Sequence, residues 1–208
     1  ASRIGSIPSL LAFINQIALT PLIYRHYKEP ETPEKISYLF NWFVAIAATA
    51  SFTIIIFSKE FLLLFSTMEF IRAADLLIYI TPALILSQMY IFAPGIGIKK
   101  KSVWQLWLTL FTALFSIIAN FLLVPKWGLS GAAVATLLSS ILFFGLWVSI
   151  SQRLYRIPYH WMSIFKFITY LLAAIYISRF IEQFIFEKTL IYITKLILIL
   201  SIAYSTFY

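Results

Sequence analysis

Long apolar stretches alternate with short polar segments along the whole chain. A transmembrane helix needs about 20 mainly apolar residues, so this pattern predicts an all-α, polytopic bundle of about seven transmembrane helices. One span fewer or more would fit the same pattern. Residues 58–70 mix apolar and polar positions too finely for a span and are predicted to form an interfacial helix. The predicted spans are residues 7–24, 36–57, 73–98, 103–124, 128–150, 161–180 and 189–208.

The composition excludes a soluble domain. Of 208 residues, 62% are apolar and only 12% are charged, and the mean hydropathy is +0.92. A soluble domain of this size could not bury so much apolar surface, so the bilayer must act as its solvent. The chain has no cysteine, which excludes thiolate metal sites, and its two histidines lie in predicted loops without zinc spacing. We expect neither a metal nor a cofactor.

Lys and Arg are distributed unevenly between the two predicted sides of the membrane. Residues 25–35, 99–101 and 151–166 carry nine of them, and the segments on the opposite side carry six. The positive-inside rule then places the first set in the cytoplasm, with the N-terminus outside and the C-terminus inside. The net charge of +8 is spread over membrane-flanking loops, so we expect contact with membrane lipids and not with nucleic acid.

The stretch NFLLVPKWGLSGAAVATLLSS, residues 120–140, is the most distinctive local pattern. Pro125 and Gly128 are predicted to end one span and form a tight turn, because Pro cannot extend a helix and Gly accepts a positive φ. Small side chains then begin the next helix, and small residues let neighbouring helices approach closely in lipid. The predicted helix-packing motif comprises Pro125, Gly128, Gly131, Ala132 and Ala135.

This stretch also carries a family resemblance. Asn, an aliphatic run and then Pro-x-x-Gly-x-x-Gly-Ala-Ala-x-Ala-Thr resembles the C-terminal lobe of polysaccharide transporters in the multidrug/oligosaccharidyl-lipid/polysaccharide exporter superfamily. Residues 1–8, ASRIGSIP, followed by the TPL of residues 20–22, resemble the second helix of that lobe, in which an Arg faces the central cavity. Arg3 stands at that position. Ser6 replaces the acidic residue found there in the related lipid II flippases, which favours the polysaccharide branch.

The resemblance implies a function and an architecture. Residues 1–208 would form most of the second transmembrane lobe of a bacterial cytoplasmic-membrane flippase, and the missing N-terminal lobe of the same protein would complete it. The chain begins with Ala1 and has no signal peptide, which agrees with a missing N-terminal part. The substrate would be an undecaprenyl-pyrophosphate-linked oligosaccharide of O-antigen or exopolysaccharide synthesis, moved by alternating access.

The candidate ligands are polar side chains inside predicted spans, because polar groups in hydrocarbon are costly and usually functional, together with Arg3, which the resemblance implies. Arg3 would bind the pyrophosphate, since the planar guanidinium fork matches phosphate oxygens. Alternatively, Arg3 and Lys195 are interfacial anchors and the amides tie neighbouring helices together. The candidate substrate-binding residues are Arg3, Asn15, Gln16, Gln88, Asn120 and Lys195.

Two other functions are alternatives at this point. A drug or small-metabolite exporter of the same fold would more often carry an intramembrane acid, and none of the eight carboxylates lies at predicted mid-membrane depth. A membrane polysaccharide polymerase would need a sizeable outer loop with acidic and basic groups, whereas the polar stretches here are short. We therefore predict a transporter without catalytic residues.

The topology is testable with single cysteines, because the chain has none of its own. Cysteine introduced at Lys100 should react with an impermeant thiol reagent from the cytoplasmic side, and cysteine at Lys126 should react from outside. Labelling of both positions from the same side would contradict the span predicted between them.

Overall fold

A computed structural model describes residues 19–58 and 74–184 of the chain. Of these residues 88% are helical and none is in a strand, which confirms the predicted all-α class. The helical elements are α1 (residues 19–26), α2 (Thr32–Ile56), α3 (Ala74–Gln88), a 3₁₀ helix (Met89–Phe92), α4 (Gly95–Ile98), α5 (Ser102–Leu154) and α6 (Trp161–Phe184).

Among residues 19–58 and 74–184, three helical stretches are long and apolar enough to cross a membrane, namely Thr32–Ile56, Ala74–Ile98 and Ser102–Leu154. They fit a membrane protein, although the predicted count of about seven spans is not confirmed. Helix α6 covers the predicted sixth span but is not among the three. The predicted seventh span, the interfacial helix and most of the first span lie outside the described residues.

The described residues form two compact units. The first, here called the hairpin unit, comprises residues 19–38 and 79–159, and the second comprises residues 39–58, 74–78 and 160–184. In the second unit α2 buries one face at intervals of three or four residues, while Trp42 and Ile46 on another face are exposed. The buried positions of this face are Phe40, Val44, Ala47, Ala48, Ser51, Phe52 and Ile55.

Helix α5 is a hairpin of two helical halves. Gly128 has φ 56° and ψ −132°, which is not helical and divides α5 into two segments of 26 residues, each about 39 Å long at about 1.5 Å per residue. The halves run antiparallel, because Leu108 shares a buried cluster with Trp147 and Val148. Each half by itself is long enough to cross the hydrocarbon layer.

The turn of the hairpin depends on two glycines. The first half continues through Pro125 to Trp127, three residues beyond the predicted end of the fourth span at Val124, and Gly128 ends it. Gly128 has the backbone conformation of the first central residue of a type II′ turn, which strongly favours glycine. A Cβ on Gly131 would collide with the carbonyl group of Leu123, so this close approach also requires glycine.

The other small residues of the motif lie on the packed side of the second half. Ala135 is completely buried and Ala132 is half-buried. By contrast, only 11% of the most apolar stretch of α5 is buried, against 50% in Thr32–Ile56 and 56% in Ala74–Ile98. The hairpin therefore presents a large apolar surface away from the described protein core.

Replacing either glycine of the turn by alanine should destabilise the protein, for a different physical reason in each case. Gly128→Ala meets no atom within 4 Å, so it tests backbone strain alone and should destabilise by about 1–3 kcal/mol. Gly131→Ala tests overpacking against backbone and should also cost about 1–3 kcal/mol. Thermal unfolding of the purified full chain in detergent measures both.

Gly145 is the matched control, because it lies in α5, is exposed and has open space where the methyl group of an alanine would lie. Gly145→Ala should be neutral or stabilise by about 0.5–1 kcal/mol through helix propensity. Equal unfolding midpoints for the Gly131 and Gly145 variants would contradict the close approach at Leu123.

Candidate functional site

The stretch Ala74–Ile98 is a discontinuous helix. Helix α3 ends at Gln88, a 3₁₀ helix follows over Met89–Phe92, and Ala93 has φ −117° and ψ 71° before α4 begins at Gly95. The sequence explains the break, because Pro94 lacks the N–H group that would continue the helical hydrogen bonds. A break in a spanning helix is stable only where protein groups satisfy the freed backbone.

Side chains from the second half of α5 and the segment after it satisfy these freed groups. Without them, each buried polar group would cost several kcal/mol in hydrocarbon. In this conformation the break is therefore stabilised by residues 54 to 67 positions away in the sequence. The bonds are Tyr159 Oη donating to Phe92 O at 2.6 Å, Trp147 Nε1 donating to Ala93 O at 3.0 Å, and Gly95 N donating to Ser151 Oγ at 2.7 Å.

Packing around the break is close. A Cβ on Gly95 would collide with the backbone carbonyl of Ser151. The ring of Trp147 contacts Tyr90 and Phe143 at centroid distances of 5.1 and 5.5 Å. Burial raises the pKa of the Tyr159 phenol, so the hydroxyl remains a neutral donor through and beyond its ordinary range near pH 10.

A pocket of about 210 Å³ lies between α1, the break and α5. The hydroxyl of Tyr24 lies against Gly97, and the amide of Gln105 adds a second polar group. Its described lining has no charged side chain, so the pocket is suited to a neutral polar or amphiphilic group held by hydrogen bonds. The lining residues are Thr20, Ile23, Tyr24, Tyr90, Ile91, Ala93, Pro94, Gly97, Gln105 and Trp147.

Three connecting segments meet at one end of the hairpin unit. Tyr155 Oη donates to Tyr27 O at 3.1 Å, and Ser37 Oγ donates to Pro158 O at 2.5 Å. The contact of Tyr24 with Gly97 brings residues 99–101 to the same end. Segments that the sequence predicts on one side of the membrane are therefore neighbours in the structure.

This basic end, residues 25–35, 99–101 and 153–156, contains eight Lys or Arg and three Glu. Two of the carboxylates have local partners, since Glu29 lies 2.6 Å from His26 Nδ1 and Glu31 lies 2.9 Å from Lys35 Nζ. The hydrogen bond from Lys35 lowers the pKa of Glu31, which keeps that exposed carboxylate ionised and paired. The basic residues are Arg25, Lys28, Lys35, Lys99, Lys100, Lys101, Arg153 and Arg156.

Only two of the predicted substrate-binding residues fall in the described part of the chain. Gln88 is half-buried at the end of α3, beside the break. Asn120 donates from Nδ2 to Ser116 O at 2.8 Å, within its own helix, so its amide is partly satisfied there. Neither is among the residues that line the pocket. The predicted ligands Arg3, Asn15, Gln16 and Lys195 lie outside the described residues.

A second hollow, of about 300 Å³, lies between the two halves of α5 and the end of α3 and is rich in hydroxyl side chains. Sequence reasoning missed it, although the Ser and Thr spacing of three or four residues on both halves was a usable signal. Thr112 and Ser139 donate to the carbonyls of Leu108 and Ala135, four residues earlier, so the helices themselves satisfy them. The lining residues are Ser87, Thr109, Thr112, Ala113, Ser116, Thr136, Ser139, Ser140 and Phe143.

Sequence reasoning also missed Asn41 in α2. Its Oδ1 is buried and has no hydrogen-bond partner among the described residues. An unpaired buried amide oxygen is costly in an apolar environment. Within residues 19–58 and 74–184, no group of three His, Cys, Asp or Glu is arranged to hold a metal ion.

No protein-family model, curated protein or solved structure matches this chain. The functional assignment therefore depends on the residues and their geometry, together with the resemblance seen in the sequence.

The hydrogen bonds at the break should stabilise the fold more than similar bonds elsewhere. Tyr159→Phe and Ser151→Ala remove one hydroxyl each with little change in shape, and each should destabilise by about 1–3 kcal/mol because a buried backbone group loses its partner. Thermal unfolding of the purified full chain is the measurement.

Matched controls exist for both changes. Tyr176 is 72% exposed, and the exposed Ser149 bonds only to a carbonyl of its own helix. Tyr176→Phe and Ser149→Ala should stay within about 0.5 kcal/mol of the unsubstituted protein. If Ser151→Ala changed stability no more than Ser149→Ala, the hydrogen bond from Gly95 N to Ser151 Oγ would not stabilise the break.

Proposed function

We propose that the chain is a lobe of a transporter that flips undecaprenyl-pyrophosphate-linked oligosaccharide repeat units across the bacterial cytoplasmic membrane. The observation that carries this proposal is the discontinuous helix Ala74–Ile98 with a partly polar pocket at its break. Discontinuous membrane helices in transporters place backbone and polar side chains beside the substrate path.

The break has the features of a hinge between two helical segments. The segments α3 and α4 are joined by a 3₁₀ helix and Pro94, which have no continuous helical hydrogen bonding to resist bending. The bonds from Trp147 and Tyr159 are single side-chain contacts that can exchange partners as the segments move. Alternating access requires such an element with two arrangements.

The surfaces next to the pocket suit an amphiphilic substrate. A lipid-linked oligosaccharide has a polar head and a long apolar tail, so it needs polar groups beside an apolar membrane-facing surface. Tyr24 and Gln105 supply polar groups, and the exposed side chains of α5, such as Trp107 and Phe111, supply apolar surface. The resemblance of residues 120–140 and of Arg3 to polysaccharide flippases supports the same substrate class.

A drug or small-metabolite exporter of the same fold is the alternative that shares this architecture. A polysaccharide polymerase is a weaker alternative, because it needs catalytic acids and bases outside the membrane. We expect no catalytic role for this chain. The proposed orientation, with the basic end in the cytoplasm, would place the pocket where a lipid-linked sugar is made available for transport.

Disruption of the full-length gene tests the proposal directly. Cells without the protein should lose surface polysaccharide and accumulate the lipid-linked repeat unit, measured by extraction of membranes from cells given radiolabelled sugar. Unchanged polysaccharide together with increased sensitivity to toxic cations would instead favour the drug exporter. Surface material reduced to single repeat units would favour the polymerase.

Arg3 is the sharpest single-residue test of the predicted substrate contact. Arg3→Ala in the full-length protein should abolish surface polysaccharide while membrane expression stays normal, because the pyrophosphate loses its bidentate partner. Arg3→Lys should restore export only in part, since Lys keeps the charge but loses the fork. Lys126→Ala, which removes an exposed cation at the hairpin turn, is the control and should export normally. Normal export by Arg3→Ala would identify Arg3 as an interfacial anchor and leave the flippase proposal standing.

A further inference from the structure

Lys100 has a backbone conformation that L-amino acids rarely adopt. Its φ is 53°, and no other non-glycine residue in the described part of the chain has a positive φ. Lys100 N donates to Gly97 O at 2.9 Å, and Lys101 N donates to Ile96 O at 3.0 Å. These are the two hydrogen bonds of a Schellman motif that ends α4, with Lys100 at the left-handed position.

Glycine is the usual residue at that position, because a side chain there is disfavoured by contact with its own backbone. Asn is the next most frequent choice. Lys is neither of these favoured residues, so its left-handed conformation carries a local strain that Gly would remove. A non-glycine residue in a strained conformation therefore suggests that its side chain has a function.

The side chain of Lys100 belongs to a row of three exposed cations, Lys99 to Lys101. Arg153 and Arg156 are also exposed and lie on the segment whose Ser151 binds Gly95, four residues before Lys99. Within the described residues, none of these five cations forms an ion pair. No carboxylate of the described residues therefore neutralises these cations by direct contact.

Interfacial aromatic residues follow directly on the lysine row. Trp104 and Trp107 are 49% and 64% exposed on the first turns of α5, and Tyr24 is 43% exposed beside Gly97. Exposed Trp and Tyr are typical of the headgroup level of a bilayer. We therefore expect the row of cations to lie at the depth of the lipid phosphates. The opposite end of the hairpin has Lys126 as its one cation between residues 121 and 135.

We propose that Lys99, Lys100 and Lys101, with Arg153 and Arg156, form a binding surface for the phosphodiester headgroups of anionic phospholipids. The bound headgroups neutralise the unpaired cations and hold the end of the discontinuous helix at the membrane surface. Lys100 keeps a side chain at a glycine position because it adds the central cation of the row. The proposal stands independently of the transported substrate.

Purified full-length protein in phosphatidylcholine nanodiscs, with and without phosphatidylglycerol, tests the proposal. Native mass spectrometry gives the affinity for phosphatidylglycerol, and thermal unfolding gives the stabilisation that bound lipid produces. Each cation near an anionic surface contributes about fivefold in affinity. Lys100→Gly should bind about fivefold more weakly, and a variant with Lys99→Ala, Lys100→Gly and Lys101→Ala should bind on the order of a hundredfold more weakly.

Lys100→Gly, which should weaken lipid binding, should at the same time raise the stability of the protein without anionic lipid. In pure phosphatidylcholine, Lys100→Gly should unfold at a higher temperature than the unsubstituted protein, because Gly relieves the positive-φ strain. Lys100→Arg should keep the response to phosphatidylglycerol, and Lys126→Ala, at the other end of the hairpin, should change neither measurement. High salt should reduce the response to phosphatidylglycerol, as for any exposed cationic site.

Two results would overturn the proposal. One is a response to phosphatidylglycerol that is the same in the triple variant and in the unsubstituted protein. The other is equal stabilisation by inorganic phosphate or pyrophosphate in phosphatidylcholine nanodiscs, which would indicate a site for a free anion and not for a lipid headgroup.

Discussion

The need to satisfy every backbone polar group in an apolar environment governs the part of this protein that contains the pocket. Continuous helices meet this need internally, but the helix that ends at Ile98 is broken by Pro94 and cannot. Tyr159, Trp147 and Ser151 supply the missing partners. Because these residues belong to the end of α5 and the segment after it, the same bonds that stabilise the break also dock α5 against it. The pocket between them depends on this arrangement.

The hairpin of α5 follows from a second constraint, the close approach of two antiparallel helices. Gly128 provides a backbone conformation that other residues rarely adopt, and Gly131 lets the returning helix pass the carbonyl of Leu123. Small residues such as Ala135 continue the contact. Hydroxyl side chains line the hollow farther along and bond to their own helices, so they permit close packing without leaving polar groups unpaired.

The two ends of the hairpin unit differ in chemistry. One end gathers cations from three segments, whereas the turn of the hairpin has Lys126 as its one cation. The pocket opens between α1 and α5 near the basic end, where Tyr24 and Gln105 provide hydrogen-bonding groups. Neutral groups for recognition and cations for attraction to an anionic surface are thus separate sets of residues. Because these two sets of residues are separate, the proposed transport and the proposed lipid surface can be tested apart.

The amino-acid sequence predicted the all-α class, the helices long and apolar enough for a membrane around residues 36–57, 73–98 and 103–150, and the turn at Gly128. These follow from apolar length and from the backbone chemistry of Pro and Gly, which act locally. Pro94 indicates a bend in the third predicted span, but it does not show that the α-helix ends already at Gln88 or that distant side chains satisfy the freed backbone groups. The lining of the pocket was not predicted either. In membrane helices that are apolar on all sides, periodicity does not distinguish the buried face from the lipid-facing one. Which polar residues meet depends on the tertiary fold, since hydrogen bonds such as that of Tyr159 to Phe92 join positions 67 residues apart.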